Sequence, residues 1–253
     1  MVRKRMILKI TMVLVSLIII QSLPILFLKN IGMESITGNY VKIEYDKGDL
    51  EGGTKVFNKL EQVAKELHNK LNFDRDEPTK VYVYKKQASL HIRKAGLITL
   101  LLPLDWYIGD NKGDIVLIVS PHSNNRIHDE NSILEAAVHE FVHTINFQIN
   151  PHLSYFLDNG VATYLAHQRP FNDFARNMKL PEMDYLSIKD QKRFGETGGY
   201  FFSYTFIEFL DLRYGWKAVL DLIRGELSYQ EIFSKPEGDI YQEWKEYVIE
   251  CYT

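Results

Sequence analysis

The sequence is nearly free of cysteine: Cys251 is the single one among 253 residues. One cysteine cannot form an internal disulfide bond, so the small disulfide-stapled scaffolds of secreted proteins are excluded. Stability must instead come from a hydrophobic core. Residues 30–253 are numerous enough to form one, either as one domain or as two tightly packed lobes.

Charge is absent from one long stretch near the N-terminus. The nineteen residues 10–28 are uncharged and mostly apolar, and Arg3, Lys4, Arg5 and Lys9 precede them. Such a stretch can cross a hydrocarbon core of about 30 Å at about 1.5 Å per residue. Because basic flanks remain cytoplasmic, the sequence predicts a cytoplasmic tip and transmembrane anchor over 1–29 and an extracytoplasmic domain over 30–253.

A cleaved signal peptide is the alternative for the same stretch. The apolar run is followed neither by a clear small-x-small cleavage site nor by a cysteine for lipid attachment. An uncleaved, single-pass anchor in the cell membrane is therefore favoured, whereas cleavage would produce a secreted domain.

The predicted external domain also lacks an excess of basic charge. Of the 30 Lys and Arg, five lie within residues 1–29, and all 33 Asp and Glu lie in residues 30–253. The domain is therefore negative by about eight charges. This balance argues against nucleic acid and against anionic lipid as partners.

Hydrophobic periodicity predicts an α+β fold, a mixed sheet lobe followed by a mainly helical lobe. Strands are expected at 40–45, 81–84 and 114–120, and a strand or buried segment is expected at 97–102. Helices are expected at 57–71, 89–95, the second half of 155–165, 199–214, 216–224 and 239–247, with an irregular connection over 169–198. The first strand, the helix and the second strand imply a right-handed parallel unit.

An HExxH motif at residues 139–143 lies inside an amphipathic segment over 131–149. Asn131 or Ser132 is the expected N-cap of this helix. Because residues four apart lie above one another on a helix, His139 and His143 can share one zinc ion, with Glu140 beside them as the general base. This spacing is typical of zinc proteases.

A helix with two solvated or hydrogen-bonded histidines is the alternative, since HExxH arises by chance in roughly two of a hundred chains of this composition. His122 and His128 precede the helix without a fixed spacing to the pair, and they are expected in solvent. Glu135 lies one turn before His139 and could orient that ring.

The segment after the motif, Phe156-Leu157-Asp158-Asn159-Gly160-Val161-Ala162-Thr163-Tyr164, is similar to a pattern of the peptidase MA-like gluzincins, relatives of thermolysin and the membrane alanyl aminopeptidases. Their pattern is Trp-Leu-x-Glu-Gly-x-Ala-x-Tyr, in which Glu is the third zinc ligand. Here Asn159 occupies that position. The resemblance covers residues 115–223 well and residues 40–84 loosely, and it implies a thermolysin-like zincin domain.

The resemblance also implies a role for Tyr200. The run at 200–210, with Arg213-Tyr214-Gly215 after it, resembles the helix that brings a tyrosine to the scissile carbonyl in such families. Tyr200 is the best positional match, and a core-packing role is the alternative.

Together these features predict hydrolysis of peptide bonds by zinc-activated water, with a peptide or protein as the substrate. Since an amide is a weaker zinc ligand than a carboxylate, three outcomes are open: Asn159 ligates weakly, a nearby carboxylate such as Asp158 substitutes, or the site holds no metal. Asp158 should point about 100° away from Asn159. The alternatives are a protein that binds peptides without turnover and a structural surface protein with a fortuitous motif.

One predicted strand is a candidate for substrate binding. Strand 114–120 comes shortly before the motif helix and can form the rim of the cleft, where an extended peptide would pair with its free edge. An ordinary internal strand is the alternative. The sequence shows no Gly-x-Met-x-Asn exopeptidase motif, which favours internal cleavage.

Overall fold

A computed structural model describes residues 2–253, except for the side chains of residues 2–5 and 8. The strands are β1 (Glu34–Thr37), β2 (Val41–Tyr45), β3 (Thr79–Tyr84), β4 (Gly109–Lys112) and β5 (Ile115–Val119). The helices are α1 (Val2–Leu26), α2 (Leu50–Leu71), α3 (Gln87–Ala95), α4 (Glu130–Ile149), α5 (Tyr155–Leu165), α6 (Gln191–Glu196), α7 (Gly199–Tyr214), α8 (Trp216–Arg224), α9 (Tyr229–Phe233) and α10 (Glu237–Tyr252). Short 3₁₀ turns occupy Leu97–Leu101 and Met183–Ser187.

Helix α1 is apolar along most of its length. Residues Lys9–Leu26 form a window of 18 residues with a mean hydropathy of 2.0, and none of that window is buried. The helix is therefore long and apolar enough to cross a membrane, a property that it shares with signal sequences. The predicted basic tip at Arg3, Lys4 and Arg5 falls on side chains outside the described set.

The strands form one mixed sheet in the order β1-β2-β3-β5-β4. Strands β2, β3 and β5 are parallel, and β1 and β4 pair antiparallel at the two edges. Since α2 connects β2 to β3, the predicted parallel unit is confirmed. Strand β5 is internal, paired with both β3 and β4, so the prediction that it forms a free edge is wrong. That edge belongs to β4.

The helical lobe is organised around the pairing of α5 with α7. Gly160 makes this pairing close, because a Cβ atom at that position would lie 2.6 Å from the carbonyl oxygen of Ser203. Tyr164 strengthens it, since its hydroxyl donates to Oδ2 of Asp211 at 2.9 Å. Both residues belong to the Gly-x-Ala-x-Tyr register noted in the sequence, so this register has a packing role in the fold.

Most predicted elements are present, and the differences have local causes. Helices α7 and α8 have the predicted bounds, and α2 and α10 are longer than predicted. The N-cap of α4 is Asp129, whose Oδ1 accepts from the Ser132 backbone N–H at 2.8 Å, so the capping prediction is wrong. The prediction of a strand or buried segment at 97–102 is also wrong, because this run forms an exposed 3₁₀ turn.

Candidate functional site

The HExxH motif lies on α4, which is packed between the sheet and the helical lobe. The helix contacts α2, β5 and β4 on the sheet side and α5 on the other side. Ile133, Ala137, Phe141 and Ile145 are buried and fix the rotation of the helix about its axis. The motif side chains are thereby presented to the space among α4, α5 and β4.

The rings of His139 and His143 face each other through their Nε2 atoms. Their Nε2 atoms are 2.9 Å apart, and both rings are buried. Two zinc-bound nitrogens at about 2.0–2.1 Å from a tetrahedral ion lie about 3.3 Å apart. A shift of a few tenths of an ångström would therefore fit both nitrogens to one zinc ion.

The opposite ring nitrogens of the pair each have an oxygen partner. Nδ1 of His139 lies 2.9 Å from Oε1 of Gln168, and Nδ1 of His143 lies 2.8 Å from Oδ2 of Asp158. The second contact is an ion pair in which the ring N–H is not aimed directly at the oxygen. Oxygen acceptors at Nδ1 favour a proton there and leave Nε2 lone pairs facing each other, an arrangement that requires a proton or cation between them.

Charge around the pair is strongly asymmetric. Burial and, as the smaller cause, the neighbouring charge of His143 lower the pKa of His139 to about 3. Burial would also lower the pKa of His143, but the charge and contact of Asp158 outweigh it and raise the pKa to about 9. The site therefore favours one positive charge between the two rings, held by the carboxylate of Asp158.

Asp158 contacts the pair from α5. Its Oδ1 accepts from Nδ2 of Asn146 at 2.8 Å, while its Oδ2 is the atom that meets His143. Both oxygens are therefore engaged, one by Asn146 and one by the His143 ring. Glu135 is exposed, and Gln168 contacts Nδ1 of His139, so the expected role of Glu135 is wrong.

Glu140 is partly buried beneath the edge strand β4. A Cβ atom on Gly109 would lie 3.0 Å from Cγ of Glu140, so a larger residue there would force the Glu140 side chain to shift by a few tenths of an ångström. Burial raises the pKa of Glu140 to about 8; the charge of His143 opposes this shift, and that of Asp110 adds to it. A carboxylate tuned toward neutral pH can both accept and return a proton.

A polar group on and beside β4 faces the same space. The carboxylate of Asp110 contacts the Lys94 ammonium and the Tyr107 hydroxyl, and Lys94 also donates to the Asn111 carbonyl at 3.0 Å. Burial raises the pKa of Tyr107, as do the charges of Asp110 and Glu140. These residues carry no motif spacing, so no sequence pattern selects them.

Tyr200 lies beside the histidine pair at the start of α7. Its ring centre is 6.3 Å from that of His139 and 5.0 Å from that of Phe194, and the residue is 40% exposed. Burial of the hydroxyl region raises the pKa of Tyr200, and Tyr155 adds to the shift. The hydroxyl is therefore a neutral donor at physiological pH, next to the expected metal position.

Asn159 is buried on α5, and its Nδ2 donates to the carbonyl of Tyr155 at 2.8 Å. This bond fixes the amide and leaves its oxygen as a potential ligand, so zinc ligation by Asn159 stays a prediction. Among residues 2–253, no group of three His, Cys, Asp or Glu side chains is arranged to hold a metal ion. His139 and His143 are thus the two donors that the described side chains bring together.

Neither known protein families nor curated proteins match this chain in a sequence comparison.

Proposed function

We propose that this chain is a membrane-anchored zinc peptidase of the gluzincin type with a thermolysin-like zincin fold. The observation that carries the proposal is the 2.9 Å approach of the Nε2 atoms of His139 and His143, with an oxygen of Gln168 or Asp158 within 2.9 Å of each Nδ1. Ring partners of this kind are typical of zinc-binding histidines. His139 and His143 would hold the ion, with Asn159 as the weaker third ligand.

When bound, zinc would supply a Lewis acid that activates water and polarises the scissile carbonyl. Glu140 takes the proton of the attacking water and returns it to the leaving amine. The neutral hydroxyl of Tyr200 donates a hydrogen bond to the oxygen on which negative charge develops. Asp158 keeps the His143 ring in position during the reaction.

The substrate is proposed to be a peptide or protein segment in extended conformation. Strand β4 pairs with β5 on one side only among the described residues, and its Gly109 lies against Glu140. A segment that adds to the other side of β4 would bring its backbone close to that carboxylate. This arrangement favours cleavage within a chain, on the extracytoplasmic side if α1 spans the membrane with its basic flank inside.

A second candidate function is peptide binding without turnover. It is favoured by the donor set, because the residues described contain no group of three His, Cys, Asp or Glu side chains that could hold a metal ion. A neutral amide binds zinc more weakly than a carboxylate does. In this alternative, β4 and the cleft bind an extended segment, and Glu140 has no catalytic role.

The zinc content of the purified protein distinguishes the two functions. The Asn159→Glu variant adds a comparison, because it supplies a carboxylate at the third ligand position. Purified full-length protein is expected to contain about one zinc ion per chain by mass spectrometry. Asn159→Glu should raise the zinc affinity by about 10- to 100-fold, since a carboxylate replaces a neutral ligand. Asp184→Glu, at an exposed position, is the control. A metal-free wild type whose Asn159→Glu variant gains zinc would establish the binding function instead.

The contact between Asp158 and His143 gives a further prediction. Asp158→Asn should weaken zinc binding about 10- to 100-fold, because the amide still fills the space but no longer orients the ring by its charge. The variant side chain retains an oxygen for Asn146, so the fold should be preserved. Competition with a chromogenic chelator measures the affinity, and Asp184→Asn is the matched control. Equal affinity in the two variants would contradict the role given to Asp158.

A further inference from the structure

A second feature of the molecule is an apolar surface that follows α3. We call it the Leu97–Trp106 patch, formed by Leu97, Ile98, Leu100, Leu101, Leu102 and Trp106. Leu101 is 79% exposed, and Trp106 is 59% exposed. Large apolar side chains clustered in this way forgo the favourable free energy of burial. Such clusters are typical of surfaces that contact another protein, a ligand or a membrane.

The patch lies directly beside the C-terminal part of α1. The backbone N–H of Ile98 donates to Oε1 of Gln21 at 3.3 Å. The backbones also approach closely at Gly96, which has φ +86°, and a Cβ atom there would lie 2.4 Å from the carbonyl oxygen of Gln21. The patch is therefore continuous with the exposed apolar surface of α1.

The contacts with Gln21 set the depth of the patch relative to the apolar helix. Gln21 is five residues before Leu26, where the apolar window ends, a distance of about 7.5 Å at about 1.5 Å per residue. If α1 spans a bilayer, the patch lies within the outer edge of the hydrocarbon region. Tryptophan and leucine side chains suit that depth.

Polar side chains lie next to the C-terminal end of α1, beyond the patch along the helix axis. The Arg93 guanidinium donates to Oδ1 of Asn30 at 2.7 Å, and Nζ of Lys112 donates to the carbonyl of Ile25 at 2.9 Å. These groups lie at the end of the apolar helix, where long basic side chains reach water and lipid headgroups. The apolar patch and the polar residues thus follow the order of a membrane boundary.

We propose that the Leu97–Trp106 patch inserts into the outer leaflet beside α1 and forms a second membrane contact. The patch would contact the uncharged boundary between acyl chains and headgroups. Contact with uncharged lipid agrees with the negative net charge of the domain, which disfavours anionic headgroups. Gly109, which lies against Glu140, follows Trp106 by three residues, at most about 11 Å of extended chain. Insertion would therefore hold β4 and the cleft close to the bilayer. This proposal rests on the membrane span proposed for α1 and is independent of the metal chemistry.

Depth-dependent fluorescence tests the insertion in the full-length protein, reconstituted in phosphatidylcholine nanodiscs at one chain per disc. Cys251→Ser removes the exposed native thiol, and a fluorophore is then attached to Leu101→Cys, Leu212→Cys or Leu17→Cys. Leu212 is 71% exposed on α7 and is the matched control, whereas Leu17 reports on α1. Lipid-borne quenchers report contact with the bilayer, and iodide reports contact with water.

The expected result is strong lipid quenching and several-fold weaker iodide quenching at Leu101 than at Leu212. Iodide quenching that is equal at the two positions would overturn the proposal. Protection from iodide without lipid quenching would also overturn it, because a protein surface would then cover the patch. If the Leu17 label is not quenched by lipid, the span and the patch insertion both fail, whereas the zinc content of the same sample tests the proposed chemistry separately.

Discussion

Glu140→Gln is expected to reduce peptide hydrolysis by about 10²- to 10⁴-fold, the usual contribution of a general acid–base group, while the zinc content stays at the wild-type level. Glutamine keeps the size of the side chain beneath Gly109 but cannot accept the proton of the attacking water. The initial rate of cleavage of an internally quenched peptide library measures the activity. Metal analysis of the same sample measures the zinc content.

The control for this substitution is Glu135→Gln, at an exposed position of the same helix. It makes the same chemical change five residues earlier, so any general effect of charge loss on α4 would appear there as well. The control should retain the wild-type rate. Turnover by Glu140→Gln at a rate close to that of Glu135→Gln would remove Glu140 from the mechanism and leave the peptide-binding function.

The elements with strong local signals could be predicted from the sequence. Helix α7 has the predicted bounds, because its apolar and aromatic run is bounded by Gly198, with φ +77°, and by Gly215, with φ +82°. The motif helix was also predicted closely, since its buried face repeats at helical spacing over about four turns. The facing of His139 and His143 follows from the same helix geometry.

The strand nearest the site could not be predicted. Gly109-Asp110-Asn111-Lys112 has neither β-branched residues nor alternating hydrophobicity, so no strand signal is present. It forms a strand because its backbone pairs antiparallel with β5, where Asp110 lies opposite Leu117. Lys94, Tyr107 and Asp110 reach the site through that pairing. The contribution of Lys94 and Asp110 to the charge around Glu140 therefore depends on tertiary structure alone.

The partner of His143 depends on the rotation of α5 about its axis. The sequence places Asp158 and Asn159 about 100° apart but does not say which one faces α4. Gly160 decides this, since its contact with the Ser203 carbonyl directs that side of α5 to α7. Asp158, two residues earlier, then lies nearly opposite Gly160 and faces α4. The outcome follows from a packing contact between two helices that come after the motif helix in the sequence.

The apolar run at 97–102 shows that hydrophobicity alone does not distinguish burial in protein from contact with lipid. Its apolar residues predict removal from water, which within a protein domain means burial in the core. The structure exposes them beside α1, where lipid is the medium that we propose. Hydrophobicity is the same signal in both cases, so only the position relative to α1 distinguishes a core strand from a membrane-facing turn.

His143→Ala is expected to remove zinc from the purified protein and to reduce hydrolysis to background. Zinc sites with four ligands bind with about 10–16 kcal/mol, so one ligand contributes about 3 kcal/mol, or about 100-fold in affinity. The loss is larger here, because an amide is the only other donor expected beside His139. The variant also leaves Asp158 without its cationic partner, at a cost of about 1–3 kcal/mol in the free energy of unfolding.

A double variant separates loss of metal from loss of stability. In His143→Ala with Asp158→Asn, the unpaired carboxylate is replaced by an amide that still accepts from Asn146, so the melting temperature should recover relative to His143→Ala alone. Zinc and activity should not recover, since the Nε2 donor is still missing. Circular dichroism, metal analysis and the peptide assay on the same samples give the three readouts. Wild-type zinc content in the double variant would show that His143 is not a ligand, and the site would then have to be assigned to other donors.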